Sequence, residues 1–210
     1  MARPPSLCGV ILAAGESSRM GRDKALLPWP PQQPDKTPAL TGTFLSGAIQ
    51  LLETQTEMIF VVAGNNAAIV APVVYSAGAS LVVNPAPERG QFSSLQVGLK
   101  EVLNHGRDAA MVTLVDRPPA SDVTAQQLVA AFASRKPGKW AVVPQHGEKH
   151  GHPFIIAREM IEAFLRAPAA SNAQDVEHQN QEHIQYVGVD DPNVALNVDT
   201  PEDYARLTIA

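Results

Sequence analysis

The run Leu12-Ala13-Ala14-Gly15 closes an apolar stretch, LCGVILA, and hands over at once to GESSRMGRDK, which carries Arg19 and Lys24. Residues with little or no side chain let backbone N–H groups come close to oxyanions, and a turn of this kind after a strand is a cradle for phosphate. Arg19 and Lys24 would neutralise the charge of a bound triphosphate. The spacing fits neither G-x-G-x-x-G nor G-x-x-x-x-G-K-[ST], which disfavours a dinucleotide-dependent dehydrogenase and a P-loop ATPase. On residue types alone, a plain strand-to-helix turn with surface cations accounts for the stretch equally well.

A reaction on a triphosphate needs a divalent cation, and Mg²⁺ takes a few carboxylates together with phosphate oxygens and water. Asp116 directly follows the apolar run AAMVTLV, at the carboxyl end of a predicted central strand where side chains face the crevice. Asp199 follows LNV and opens DTPEDY. Asp116 also suits a turn before two prolines, and Asp199 a helix cap. Thr200 is the more natural cap, because Pro201 then takes the first helical position.

These side chains need a scaffold. Short β-branched runs alternate with amphipathic stretches of helical length, the pattern of an α/β protein with a mostly parallel sheet flanked by helices. Strands are predicted at LCGVILA, MIFVVAG, SLVVN, AAMVTLV, WAVVP, HPFIIA, IQYVGV and a short LNV. Helices are predicted at TFLSGAIQLLE, SSLQVGLKEVL and SDVTAQQLVAAFA, and a loop with a short polar helix at RAPAASNAQDVEHQNQEH. VVPQHGEKHGHPFII reads as an antiparallel hairpin that interrupts the alternation. The five prolines from Pro28 to Pro38 exclude helix and central strand and place a loop near the site. We expect one domain over 1–210, with 1–116 holding the nucleotide and 117–210 shaping a second substrate site.

Composition narrows the partners. A net charge of −5 offers no basic face for nucleic acid, no run approaches the length of a membrane span, and the first apolar run is too short for a secretion signal. A soluble cytoplasmic protein is expected. Cys8, the single cysteine, excludes an intrachain disulfide and reads as a small buried hydrophobe. His146, His150 and His152 lie on one hairpin, but no carboxylate or thiolate in register completes a zinc site.

LAAGESSRMGRDK resembles the L-A-A-G-x-S-x-R-M-G-x-x-K signature of the MobA-like nucleotidyltransferases, in particular the molybdenum cofactor cytidylyltransferase branch. The resemblance implies a three-layer α/β sandwich of the nucleotide-diphospho-sugar transferase type, Rossmann-like in its first half. It also implies transfer of CMP from CTP to a phosphorylated acceptor, with release of pyrophosphate. Leu12, Ala13, Ala14, Gly15, Arg19 and Lys24 then hold the nucleotide, with Arg19, Lys24 and Asp116 catalytic. Asp116 and Asp199 match the family's paired metal-binding aspartates. Gly90 and Ser94 of NPAPERGQFSSLQVGL match its base-recognition loop, although either Ser93 or Ser94 also suits a helix cap. Ala14 agrees with the cytidylyl branch, since related guanylyltransferases usually read L-A-G-G. His152 of GHPFII matches the G-H-P motif near the acceptor. The implied partners are small molecules, an NTP and molybdopterin or molybdenum cofactor, with a molybdoenzyme or its chaperone as recipient. Another phosphorylated acceptor, or a binding-only assembly factor, stands as the alternative.

The chain departs from the family pattern twice, and the second departure lies on the expected acceptor side. Family members commonly read L-x-x-D-Q-P or G-D-x-P at the first aspartate, whereas this chain has Val115 before it and Arg117 after it. The G-D-x-G segment that molybdopterin-specific members often carry after G-H-P is replaced by LRAPAASNAQDVEHQ.

Overall fold

The computed structural model describes residues 6–31, 42–168 and 170–207. The first strand, β1 (Leu7–Leu12), is buried on both faces, as expected for a continuous apolar run. Its side chains alternate: Leu7 and Ile11 enter one core, Cys8, Val10 and Leu12 the other. Burial drives the Cys8 thiol pKa up to about 11, so the residue is an inert core group.

The chain continues through α1 (Phe44–Glu53), β2 (Met58–Ala63), α2 (Ala67–Ser76), β3 (Ser80–Val83), α3 (Gln91–Asn104) and β4 (Ala109–Leu114). The strands β3-β2-β1-β4 are all parallel. Helices α1 and α2 cover one face and α3 the other, which gives three layers. Helix α2 was not evident from periodicity: it contains Pro72 and small or β-branched residues instead of a polar face. The run PWPPQQPDKTPALTG lies mostly outside the described residues; its ends are tied by a bridge between Pro28 and Thr43.

Beyond β4 come α4 (Asp122–Ala133), β5 (Ala141–His146), β6 (Lys149–His150), β7 (Phe154–Ala157), α5 (Arg158–Arg166), α6 (Ala173–Gln179), β8 (Ile184–Gly188) and α7 (Pro201–Arg206). The expected hairpin is present, with β6 and β7 both antiparallel to β5 and Gly147 at φ 59° in the turn. β7 also pairs antiparallel with β4, and β8 runs parallel to β5. The sheet is therefore parallel in its first half and mixed in its second. The run LNV is not a strand. It follows the short 3₁₀ turn Pro192–Ala195, and the Val198 N–H donates to Asp116 O at 2.9 Å. No helix among the described residues is long and apolar enough to cross a membrane.

Candidate active site

The order β3-β2-β1-β4 reverses direction at β1, and ligands of open α/β sheets gather at the carboxyl ends of strands beside such a reversal. Leu12 pairs with Leu114 there, and the Val115 N–H donates to Leu12 O at 3.1 Å. Leu12 is buried and frames the cleft. Ala13 is a correction to the expected cradle: its N–H donates to Val62 O at 2.8 Å, so the sheet already uses it. Ala14 and Gly15 come next, and a Cβ on Gly15 would meet nothing within 4 Å. The glycine is not required by packing and leaves room beside the loop.

Between Gly15 and Lys24 the chain turns at Ser17, which sits at φ 51°, and the Lys24 N–H donates to Ser17 Oγ at 3.0 Å. Asp23 caps a short 3₁₀ turn, Lys24–Leu26, by accepting from Ala25 N–H. Asn66 clamps both ends of the loop, donating from Nδ2 to Ala13 O at 2.8 Å and to Asp23 Oδ2 at 2.7 Å. Lys24 is held where it is only 9 % exposed.

Its Nζ lies 2.6 Å from Asp199 Oδ1 and 3.9 Å from Asp116 Oδ2. Arg19 Nη2 reaches Asp199 Oδ1 at 3.3 Å from a side chain 70 % exposed, a contact that solvent weakens. The bond from Val198 to Asp116 O sets the two aspartates together, while Thr200 caps α7 in a capping box with Asp203 and Pro201 takes the first turn. Asp199 is thereby left free of the capping role. The Lys24 hydrogen bond holds the Asp199 carboxyl below the usual carboxylate range, whereas burial pushes Asp116 up despite Lys24 and Arg117. Asp116 Oδ1 is buried and has no partner among the described residues. An unpartnered carboxylate oxygen beside a second carboxylate is a donor set suited to a hard divalent cation completed by phosphate oxygens and water.

The segment after β3 approaches from the same edge. A Cβ on Gly64 would lie 3.0 Å from Ala14 O and 2.9 Å from Pro87 Cβ, so the β1 loop and the loop after β3 meet over this glycine. Gly90, at φ 88°, is the N-cap of α3, which corrects the expectation that Ser93 or Ser94 caps it. Both serines lie inside the first turns: Ser93 Oγ donates to Gly90 O at 2.7 Å, and the Asn84 amide donates to both hydroxyls. Ser94 is 2 % exposed.

His152 stands on the other side of Asp116, just before β7. Its N–H donates to Val194 O at 3.0 Å, and Arg117 Nη1 donates to the same oxygen at 3.2 Å. The imidazole Nδ1 is buried without a partner among the described residues, and burial first, then Arg117, depresses its pKa well below 6.5. The structure thus gathers Arg19, Lys24, Asp116 and Asp199, and sets His152 and Arg117 beside them. Sequence reasoning gave no role to Asn66, Asp23, Ser17 and Asn84, whose part is to hold loops by hydrogen bonds; Ser17 and Asn84 lie inside the matched motifs, whereas Asn66 has no motif at all. Arg117 was visible only as a departure from the family pattern.

The model of the MobA-like NTP transferase domain matches residues 9–184. The chain belongs to this family. It is therefore a nucleotidyltransferase. A probable molybdenum cofactor guanylyltransferase of Rhodopirellula baltica is 34 % identical over 131 residues, which cover 62 % of this chain and 58 % of that protein. The molybdenum cofactor cytidylyltransferase of Escherichia coli K12 is 23 % identical over 93 % of this chain and 92 % of its own. Among solved structures, Rv0371c of Mycobacterium tuberculosis H37Rv superposes with a TM-score of 0.79 at 25 % identity, covering 98 % of this chain and 99 % of that one. Rv0371c has also been solved with manganese, with a TM-score of 0.73 at 23 % identity, covering 98 % of this chain and 99 % of that one. The mixed sheet flanked by helices is the nucleotide-diphospho-sugar transferase fold, which structural neighbours named as nucleotidyltransferases share.

Proposed function

We propose that the protein transfers CMP from CTP to the phosphate of molybdopterin or molybdenum cofactor. The observation that carries this reading is the convergence of Lys24, Asp116 and Asp199 at the carboxyl ends of β1 and β4. The names of the relatives support the acceptor, and Ala14 and the Ser94 loop support cytidine. Residues 1–116 hold the nucleotide and 117–210 the acceptor.

Ala14, Gly15, Arg19 and Lys24 bind the triphosphate, and the loop beginning at Asn84 frames the base. An acceptor phosphate oxygen attacks the α-phosphorus. The bond from that phosphorus to the oxygen bridging to the β-phosphate breaks, and pyrophosphate leaves with the electron pair. The nucleophile is already anionic, so no general base is needed; positioning and charge stabilisation do the catalysis. Asp116 and Asp199 would hold Mg²⁺, which when bound supplies charge neutralisation at the phosphates. Lys24 leaves Asp199 for the triphosphate as substrate enters and stabilises the departing pyrophosphate. A molybdoenzyme or its chaperone receives the product.

Calorimetric titration of the protein with CTP and with GTP in the presence of Mg²⁺ tests the base assignment. Tighter CTP binding is expected; equal or reversed affinities sink the cytidylyl reading. Pyrophosphate release with molybdopterin as acceptor tests the reaction itself.

A further inference from the structure

We infer that Arg117 is the acceptor's phosphate-binding residue, a charged contact on the flank of the site opposite Arg19 and Lys24. The inference rests on the reading of this cleft as a nucleotidyl-transfer centre.

β4 lies between β1 and β7, so Asp116 at the end of β4 has the β1 loop on one side and the start of β7 on the other. Val112 pairs with Phe154, which brings Gly151-His152-Pro153 to the carboxyl end of β4. Arg19 and Lys24 both come from the β1 loop and turn to Asp199. They serve the flank that holds the triphosphate. The second reactant is also an anion, and its phosphate must approach the α-phosphorus from the far side for in-line displacement. Without a cation on that flank, two anionic reactants would face each other beside two carboxylates.

Arg117 supplies that cation, and its state in the structure is otherwise unexplained. It sits next to Asp116 in sequence, yet it forms no ion pair among the described residues. One donor, Nη1, is fixed on Val194 O; Nε is buried without a partner, and Nη2 makes no hydrogen bond among the described residues. A buried guanidinium Nε left unpaired is costly unless a ligand completes it. A guanidinium fork anchored through one nitrogen presents the geometry that suits a phosphate monoester. The shared Val194 carbonyl also locks Arg117 to the backbone of His152, so charge and neutral hydrogen-bonding group reach the acceptor as one unit.

The test uses the full chain with Mg²⁺ and a saturating α,β-methylene analogue of CTP or GTP, whichever binds, so that the triphosphate site is filled. Inorganic phosphate is then titrated and followed by ³¹P NMR. Loaded wild-type protein is expected to bind phosphate, and Arg117→Ala to weaken that binding roughly 10- to 100-fold, the range for a charge-assisted contact. Arg117→Lys should recover part of the loss, and affinity for the analogue should change little in either variant. With molybdopterin as acceptor, Arg117→Ala should raise its KM while leaving that for the NTP in place. Unchanged phosphate binding in Arg117→Ala, no phosphate binding by loaded wild-type protein, or an equal loss of analogue affinity overturns the assignment. The conservative Lys variant and a thermal melt separate lost contact from lost fold. If wild type fails to turn over molybdopterin while phosphate binding still depends on Arg117, the acceptor's identity falls and the assignment of Arg117 stands.

Discussion

Lys24 Nζ donates to Asp199 Oδ1 at 2.6 Å, which places a protein cation on the carboxylate that the proposed metal needs. On the proposed reading, lysine and metal compete for Asp199 until a triphosphate draws the lysine away. Lys24→Met should bind Mn²⁺ in the absence of nucleotide more tightly than wild type, by roughly fivefold for a partly exposed pair, read by EPR titration. The same variant should bind NTP less well and turn over slowly. Weaker Mn²⁺ binding would mean that Asp199 is not a ligand.

Asp116→Asn removes charge from the cleft with little change of shape. Turnover should fall by roughly two or more orders of magnitude, as for loss of a strong electrostatic contributor. Stability should move the other way. The folded Asp116 carboxyl is raised above its unfolded value, so the folded state holds the proton longer and stability declines as pH rises through that raised range. At neutral pH Asp116→Asn should match or exceed the wild-type melting temperature, and the gap should close below the ordinary carboxylate range. A destabilised variant at neutral pH contradicts this assignment of the strain.

For His152 the sign is reversed. Its folded pKa lies well below 6.5, so the neutral ring's contribution is complete above that value and drains away as pH falls toward the depressed folded pKa. His152→Gln should flatten the loss of stability below pH 6.5. His152→Ala should weaken use of the acceptor and leave NTP affinity nearly unchanged, because on the proposed reading each reactant touches a different flank. Loss of NTP binding in a folded His152→Ala would place GHPFII in the nucleotide pocket.

Much of this arrangement could be read from residue order. The continuous apolar runs of β1, β2 and β4 and the amphipathic spacing of α1 and α3 stand out in the sequence, and Asp116 announces itself by following such a run. Thr200 and Pro201 identify the cap of α7 and so release Asp199. What remained illegible depends on hydrogen bonds between segments distant in sequence. Ala13 looks like a cradle residue until its N–H is seen on Val62 O, and Ser93 looks like a cap until Gly90 takes the position. LNV has strand-like residues but follows a 3₁₀ turn and gives a hydrogen bond to Asp116 O. Asn66 tying Ala13 to Asp23 has no local signature at all.

Gly151 tests how the acceptor flank is built. A Cβ there would clash with Val194 O and with its carbonyl carbon, both backbone atoms that cannot rotate aside. The Gly151 N–H is tied to Pro144 O and the His152 N–H to Val194 O, so Gly151→Ala must push the segment around Val194 outward. That segment leads to Val198, whose N–H holds Asp116 O, and then to Asp199. The variant should lose about 1–3 kcal/mol or more of stability, as overpacking against fixed atoms does. Because Arg117 and His152 share Val194 O, acceptor KM should rise along with the loss of stability. NTP affinity should suffer less, since Ser17 holds the Lys24 backbone and Asn66 the neighbouring Asp23 independently of that segment. Chemical denaturation and steady-state kinetics of Gly151→Ala measure both effects, and a fully stable variant would show that the Gly151–Val194 approach is not a fixed contact of the fold.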